Sequence, residues 1–464
     1  MKTKEWHVLA AVIAAGLMSF SGVLIETSMN VTFPHLMQEF NTNASGIQWV
    51  TTGYLLAIAV VVPVTAFLLK NYSVKKLFIL ANLLFLAGVM LDSWAPTLTI
   101  LLTGRIFQGI GTGIALPLMF HIILTKSPMN KRGVMMGIGT MTTSIAPAIG
   151  PTYGGILLSS LGWRSIFWFL IPLILLALVM GLMSIPDEHV TRTERFSWGA
   201  FLTLTVGLST LLIAVEQLSW QYFGLSLIFL VGFYYCNKRR QMLNLAVFRN
   251  KTFDGLTYSF LVYQAMLLGL SFVLPNYLQL GLHVTSTQAG LFMFPGAVLG
   301  AVLAPISGRL LDKIGAVKPI LGGITLSATG LVLMSVFFPV MSFWTLLLAH
   351  MLLMTGTGLA YSNIMTVTLG TLPPEQSADG NSILNTMQQF VGASATAIVA
   401  QIFSRTVTTH SNGTGTMLGS QYGVWLLTAL MLGSVVCFWF VKRQLQTKAW
   451  SSCILLKNQY NYME

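Results

Sequence analysis

Long apolar runs dominate the chain and constrain its fold more than any other feature. A helix needs about 20 apolar residues to cross a bilayer core about 30 Å thick. The 464-residue chain contains fourteen such runs, near 8–30, 46–69, 77–95, 98–124, 133–158, 165–185, 198–215, 221–237, 254–280, 288–311, 316–338, 343–370, 381–404 and 421–441. The seventh and eighth are the weakest, because Glu216 and a polar stretch separate them. The sequence therefore predicts an all-α polytopic membrane protein with fourteen spans.

The composition excludes most other classes of protein. Only 8% of the residues are charged and 55% are apolar, whereas soluble proteins carry about 25% charged residues. Cys236, Cys437 and Cys453 lie far apart, in no metal-ligand or disulfide spacing. No G-x-x-x-x-G-K motif for an ATPase motor occurs in the sequence. We therefore expect neither an enzyme nor a protein with a cofactor or metal.

The distribution of Lys and Arg along the chain indicates which loops lie on which side of the membrane. Lys and Arg concentrate in cytoplasmic loops of membrane proteins. With the N-terminus inside, 22 of the 25 Lys and Arg residues fall in cytoplasmic segments, only Arg164 and Arg405 fall outside, and Arg105 lies within a span. The first apolar run is too long for a signal peptide and lacks a clear cleavage site. The sequence predicts a multi-pass protein of the cell membrane with both termini cytoplasmic, and the net charge of +12 does not indicate nucleic acid.

An internal repeat relates the two ends of the chain. Residues 101–116 align with 346–361, with a shared Gly-Thr-Gly and with Arg105 opposite His350. Chance similarity between two apolar helices is the alternative. A genuine repeat would match span four with span twelve, as in transporters built from repeated halves. It predicts an N-terminal six-helix half, two inserted spans with a linker, a C-terminal six-helix half and a cytoplasmic tail. These domains would cover residues 1–190, 191–252, 253–443 and 444–464.

Four motifs carry a family resemblance. They are the first-span stretch IETSMNVTFP (25–34), RIFQGIG (105–111) in span four, GPTYGG (150–155) in span five and GRLLDKIG (308–315) after span ten. In this order and on these spans, they make the chain resemble the major facilitator superfamily, in its fourteen-span drug:proton antiporter branch. Two positions depart from the family pattern: Glu26 stands where Asp is usual, and Lys70 replaces the acid that helps to latch the cytoplasmic side of the N-terminal half.

The resemblance implies a proton-coupled antiporter that exports amphipathic organic compounds or drugs, with small substrates, protons and the lipid bilayer as partners. It implies an antiporter motif formed by Pro147, Gly150, Pro151, Gly154 and Gly155, which is the main reason to expect export. It also implies a cytoplasmic loop motif at Gly308, Asp312 and Gly315. Two alternatives stay open. One is a specific metabolite exporter or importer of the same fold, and the other is a membrane receptor or scaffold that does not transport.

Glu26 and Arg105 are the candidate proton-coupling residues. A charge at the bilayer centre costs roughly 2.5–3.5 kcal/mol on insertion scales, so such residues need a reason to be there. Counted from the outer ends of their spans, the two lie at depths that differ by roughly 5 Å, within reach of each other. They are either a static pair that specifies helix packing or a proton-exchanging carboxylate with its cation. Gln108, one turn beyond Arg105, is placed to orient the guanidinium.

Other polar residues within the spans are candidates for a substrate cavity. These are Asn30, Gln108, Gln264, His350, Asn363, Asn385 and Gln388. Each could equally bridge helices. Asp92, Glu216 and Asp254 lie near span ends, where the sequence predicts solvation. Glu26 is then the single deep acid, so neutral or singly charged compounds are expected to be exported in preference to dications.

Overall fold

The described residues form a series of helices. The computed structural model describes residues 6–128, 132–188, 196–373, 376–409 and 414–461, and no strand occurs within them. These residues form fourteen helices of 15 residues or more. We number them α1 to α14: Val8–Glu39, Trp49–Asn71, Val74–Ser93, Leu98–Lys126, Arg132–Leu161, Leu170–Ser184, Trp198–Gln217, Trp220–Arg239, Lys251–Asn276, Ser286–Ile314, Val317–Phe337, Phe343–Gly370, Ser377–Thr409 and Thr414–Asn461.

Local sequence explains where several helices start and stop. Ser73, Thr97 and Thr285 accept hydrogen bonds from backbone N–H groups in the first turns of α3, α4 and α10. Such caps satisfy donors that have no partner within the helix. Gly315 ends α10 with a φ of 80°, in the left-handed region that favours glycine. The all-α fold predicted from the apolar runs is confirmed.

Twelve helical segments of the described residues are long and apolar enough to cross a membrane. Helices α5 and α8 are not among them, although they have 30 and 20 residues and coincide with the fifth and eighth predicted spans. Exposed aromatic residues lie near both ends of α8, with Trp220 and Phe223 at one and Tyr234 and Tyr235 at the other. Aromatic belts of this kind mark membrane interfaces. The total of fourteen spans stays a prediction.

The repeated Gly-Thr-Gly segments pack in the same way in both parts of the molecule. A β-carbon at Gly111 would lie 2.7 Å from the carbonyl oxygen of Ala81 on α3, and one at Gly356 would lie 2.4 Å from that of Gly323 on α11. Gly113 and Gly358 make the second contact of each segment. Their β-carbons would lie 2.9 Å from Val61 on α2 and 2.6 Å from a Gly300 oxygen on α10. Glycines at equivalent positions thus allow equivalent neighbouring helices to pack closely in both halves, as expected of a structural repeat.

The first six helices meet the last six along one end of the molecule. On α1, Asn30 donates to Ser271 of α9 at 2.7 Å. On α5, Thr152 donates to the carbonyl of Gly290 on α10 at 3.1 Å. The cation pattern assigns this end to the outside of the membrane. A cluster that contains Tyr54, Leu55 and Ile58 of α2 with Leu268, Ala393 and Ala397 of α9 and α13 continues the contact inward.

Helices α7 and α8 pack beside this bundle. Ser226 of α8 donates to the carbonyl of Gly207 on α7 at 3.0 Å. At the C-terminal end of α7, Glu216 accepts a hydrogen bond from the Trp49 indole at 2.7 Å, which ties α7 to α2. The predicted domain boundary at residue 190 lies outside the described residues. The division into domains stays a prediction.

Candidate transport site

Glu26 lies near the middle of α1, and its side chain is only 5% exposed. It makes no hydrogen bond or ion pair of 4 Å or less with any described residue. It does interact electrostatically with three residues: Arg105 of α4, Tyr54 of α2 and Tyr361 of α12. Three polar side chains from different helices therefore lie within electrostatic range of the carboxyl group, and none of them is hydrogen-bonded to it.

Arg105 is completely buried, and other groups hold its guanidinium in place. Its Nε donates to the carbonyl of Val50 at 2.9 Å, and its Nη1 donates to Gln108 Oε1 at 2.5 Å. The guanidinium carbon lies 4.1 Å from the centre of the Tyr54 ring, a cation–π contact. Gln108 orients the guanidinium, as the one-turn spacing predicted. The direct Glu26–Arg105 pair is absent among the described contacts, and the two groups interact at longer range.

Asp92 is a buried part of this network, and the prediction that it is solvated is wrong. It is 0% exposed, and its Oδ2 accepts a hydrogen bond from Gln108 Nε2 at 2.7 Å. Although Asp92 lies one residue from the end of α3, the segment between α5 and α6 covers this end. Arg164 in that segment donates to the Ala95 carbonyl at 2.6 Å, and Trp168 packs edge-on against Trp94. Tertiary packing, rather than depth along the helix, excludes water here.

Two glycines bring α3 and α4 close enough for this arrangement. A β-carbon at Gly88 would lie 2.4 Å from the Gly104 carbonyl oxygen, and one at Gly104 would lie 1.9 Å from Asp92 Oδ1. Any larger residue at these two positions would push the helices apart. The Asp92 carboxylate therefore occupies space that a glycine leaves free.

Asn30 joins three helices at the end of the molecule where the first six helices meet the last six. One turn beyond Glu26, its Oδ1 accepts from Thr51 of α2 at 2.9 Å and its Nδ2 donates to Ser271 of α9. Gln279, in the short helical segment that follows α9, donates to the Val31 carbonyl at 3.0 Å. The structure thus places Asn30 between the first and last six helices, where its hydrogen-bonding groups are already used.

A cluster of neutral polar groups forms on the C-terminal side. Gln264 Oε1 accepts from Tyr361 Oη at 2.7 Å and from Gln388 Nε2 at 3.1 Å. The Phe260 ring stacks on Tyr361, with 5.0 Å between ring centres and 8° between planes. Gln264 and Gln388 were candidates from the sequence, but Tyr361 was missed because its hydroxyl sits on a ring that an apolar pattern counts as hydrophobic. We call Phe260, Gln264, Tyr361 and Gln388 the neutral cluster.

The remaining cavity candidates lie elsewhere. His350 is buried against Phe292, with 5.6 Å between ring centres. Asn363 donates to the Ser307 hydroxyl at 2.7 Å and so links α12 to α10. Asn385 bonds Asn381 one turn back on its own helix. None of the three forms a hydrogen bond to the neutral cluster among the described residues.

The predicted antiporter motif forms two close helix contacts. Facing α1, β-carbons at Gly150 and Gly154 would lie 1.9 Å from Thr27 Oγ1 and 2.5 Å from the Ser28 carbonyl oxygen. Facing α10, a β-carbon at Gly155 would lie 2.4 Å from the Ser286 carbonyl oxygen. Pro147 and Pro151 both lie within the helix. The motif therefore packs α5 against its own half and against the opposite one.

The loop motif after span ten is partly described. Gly308 lies on α10 with open space where a β-carbon would be, and Gly315 ends that helix. The Asp312 side chain lies outside the described part of the chain. In the N-terminal half, where Lys70 replaces the expected acid, the hydroxyl of Ser73 donates to Asp187 at 3.1 Å, and Asp187 follows α6.

Beside Asp187, Glu188 joins three segments of the chain. Its Oε1 accepts from the Trp6 indole at 2.8 Å and pairs with Lys126 Nζ at 2.6 Å. Burial acts to raise the pKa of Glu188, but the hydrogen bonds from Lys126 and Trp6 outweigh it, so its pKa lies below the ordinary value. This pair ties the start of the chain to the ends of α4 and α6.

Comparison with known proteins places these features in a family. The Major Facilitator Superfamily pattern matches residues 14–396. Lincomycin resistance protein LmrB of Bacillus subtilis (strain 168) is 31% identical over 415 residues, which cover 87% of each chain. The Multidrug resistance protein B homolog of Mycobacterium tuberculosis (strain ATCC 25618 / H37Rv) is 28% identical over 409 residues, covering 84% of this chain and 75% of that one.

Solved structures share the fold at low sequence identity. A POT family transporter in complex with 5-aminolevulinic acid superposes with a TM-score of 0.68 at 16% identity, covering 95% of this chain and 99% of that one. A bacterial homolog to the human lysosomal transporter Spinster, inward-facing and unoccupied, gives 0.67 at 15% identity, covering 94% and 97%. The chain belongs to the Major Facilitator Superfamily, as its four motifs predicted, and is a multi-pass membrane transporter.

Proposed function

We propose that the protein exports amphipathic organic compounds across the cell membrane in exchange for protons. The observation that carries the proposal is Glu26, a buried carboxyl group with no fixed hydrogen-bond partner among the described residues. Because nothing holds it, it can gain and lose a proton without breaking a bond. Each proton that enters supplies about 2.3 kcal/mol per 100 mV of membrane potential.

The arguments for export and for drug-like substrates come from the relatives and from the neutral cluster, not from Glu26. The relatives named for lincomycin and multidrug resistance favour efflux of organic compounds. The neutral cluster combines a stacked aromatic pair with two amides. Small-molecule sites have this composition, mostly apolar with a few polar groups. Asp92 is engaged with Gln108, which leaves Glu26 as the one unbonded acid beside Arg105. We therefore keep neutral and singly charged compounds as the preferred substrates.

Transport into everted membrane vesicles tests this function. We expect a monocationic fluorescent dye to accumulate when the vesicle interior is acid, and to stop accumulating when a protonophore removes the gradient. A dicationic analogue of similar hydrophobicity should accumulate more slowly. Accumulation that ignores the protonophore would contradict proton coupling, and a preference for the dication would contradict the charge argument.

The Glu26→Gln variant tests the coupling residue. Glutamine keeps the volume of the side chain but cannot exchange a proton, so gradient-driven transport should be lost while membrane insertion is retained. Glu216→Gln is the matched control, because Glu216 is a half-buried acid outside the site and an amide oxygen can still accept from Trp49. If Glu26→Gln transports with an unchanged pH dependence, Glu26 has only a packing role.

A further inference from the structure

Arg105 of α4 interacts with two acids on two other helices, Asp92 of α3 and Glu26 of α1. Gln108 connects the guanidinium to Asp92 through two hydrogen bonds of 2.5 Å and 2.7 Å. Glu26 interacts with the same guanidinium through space. Asp92 is therefore bonded and Glu26 is unbonded, although both acids act on one cation.

The two charges fix the orientation of the Gln108 amide. Its oxygen must face the guanidinium, which only donates, and its NH₂ must then face the Asp92 carboxylate, which only accepts. Gly104 leaves room for the second carboxylate oxygen of Asp92. Both Asp92 and Arg105 are 0% exposed, so water cannot replace either partner. An uncompensated buried charge is costly, which makes the arrangement stable as a unit.

We propose that Asp92, acting through Gln108, is the counter-ion of Arg105 and thereby sets the pH at which Glu26 exchanges its proton. Asp92 is a positioning residue: it touches neither substrate nor the exchanging carboxyl group. The inference rests on the proposed proton coupling at Glu26. Among the described residues, the titratable groups that interact with Arg105 are Glu26 of α1, Tyr54 of α2 and Asp92 of α3, and Tyr361 of α12 interacts with Glu26.

The direction of the effect follows from the charges. When Asp92 is neutralised, a negative charge that repels the Glu26 carboxylate is lost, and the positive charge of Arg105 is no longer offset. The net potential at Glu26 becomes more positive, which favours the ionised form of Glu26. The pH at which transport is half-maximal should therefore move down in Asp92→Asn, by about one pH unit, the lower end of the shifts caused by neighbouring charges.

The experiment measures dye transport against pH for the wild type, Asp92→Asn and Ser93→Ala. Ser93 is the matched control, because it is buried on the same turn but its hydroxyl bonds only the Val89 carbonyl of its own helix. We expect the Ser93→Ala midpoint to equal that of the wild type. An unchanged midpoint in Asp92→Asn, with gradient-driven transport intact in the wild type, would overturn the role of Asp92 and leave the proposed function standing.

A second variant keeps the test decisive if Asp92→Asn does not accumulate in the membrane. The double variant Asp92→Asn with Gln108→Glu exchanges the two groups. The carboxylate then stands at position 108, next to Arg105, and the amide stands at position 92. We expect the double variant to restore both the membrane level and a midpoint close to that of the wild type. If the exchange restores neither, the proposal is wrong. If the wild type itself shows no gradient-driven transport, the proposed function fails first.

Discussion

At the scale of single residues, the N-terminal half concentrates charge where a bilayer tolerates it least. Arg105 is held by a backbone carbonyl, an amide and an aromatic face, three contacts that its planar fork makes together. The sequence could predict that Arg105 and Gln108 interact, because one helical turn separates them. It could not predict Asp92 as their partner, since the residues that cover Asp92 lie about seventy positions away.

Replacement of Arg105 should therefore depend on shape as well as on charge. Lysine keeps the positive charge, but its three donors sit on one nitrogen, whereas arginine bonds Val50 and Gln108 from two separate nitrogens of a planar fork. Lysine also loses the flat contact with Tyr54. We expect Arg105→Lys to lower the initial rate of dye transport by roughly tenfold or more, and Arg105→Ala to abolish it. Arg405→Lys, at an exposed cation, is the control and should stay near the wild-type rate. Equal rates for Arg105→Lys and the wild type would show that charge alone suffices.

At the scale of helices, the predicted spans and the observed helices agree closely, and the differences have physical causes. The first run was predicted to end near residue 30, whereas α1 continues to Glu39 and includes Pro34. Neighbouring helices can support a helix that contains proline inside a bundle. The glycines of the antiporter motif were correctly expected to pack closely. Their actual partners on α1 and α10 could not be read from α5 alone.

Helices α5 and α10 should separate when the protein opens outward, so their contact is a test of the closed state. Alanine at Gly155 would place a β-carbon 2.4 Å from the Ser286 carbonyl oxygen. We expect Gly155→Ala to weaken the closed end and to speed up modification of a Ser271→Cys variant by an impermeant maleimide. Gly322→Ala on α11, where no atom lies within 4 Å, is the matched control. Equal labelling rates in the two backgrounds would contradict this assignment.

The ends of α4 and α6 offer a stability test outside the membrane. Because the pKa of Glu188 is lowered, its ionised form is stabilised by folding, and this contribution is present above its unfolded pKa. The contribution is lost as the pH falls through the lower folded value. We expect the purified Glu188→Gln variant to melt below the wild type at pH 6–8, and the difference in Tm to shrink below about pH 4.5, the ordinary range of a glutamate. A difference that does not change with pH would assign the effect to packing.

At the scale of the whole molecule, the packing shows which end is closed, and the cation pattern assigns that end to one side of the membrane. The contacts described between the first and last six helices lie at the end that the positive-inside rule assigns to the outside. This combination predicts an inward-facing arrangement with both termini cytoplasmic. The family and its fold were predictable from four motifs in order. The state of the molecule was not, because it depends on contacts between residues more than a hundred positions apart.

Side-specific labelling of single cysteines tests the topology. Once Cys236, Cys437 and Cys453 are replaced by serine, we expect Ser411→Cys to react with an impermeant maleimide added to intact cells. Gln241→Cys, in the exposed linker after α8, should react only after the membrane is made permeable. Reaction of both positions from the same side would contradict the fourteen-span arrangement.

The two walls of the site differ in chemistry, and that difference bears on how such a transporter can evolve. Glu26, Asp92 and Arg105 all come from the first four helices, whereas the neutral cluster comes from α9, α12 and α13. A mutation in the neutral cluster changes size, shape and hydrogen-bonding capacity without altering any charge. New substrates can therefore be acquired one substitution at a time on one wall, while the proposed proton-coupling residues on the other wall are inherited unchanged.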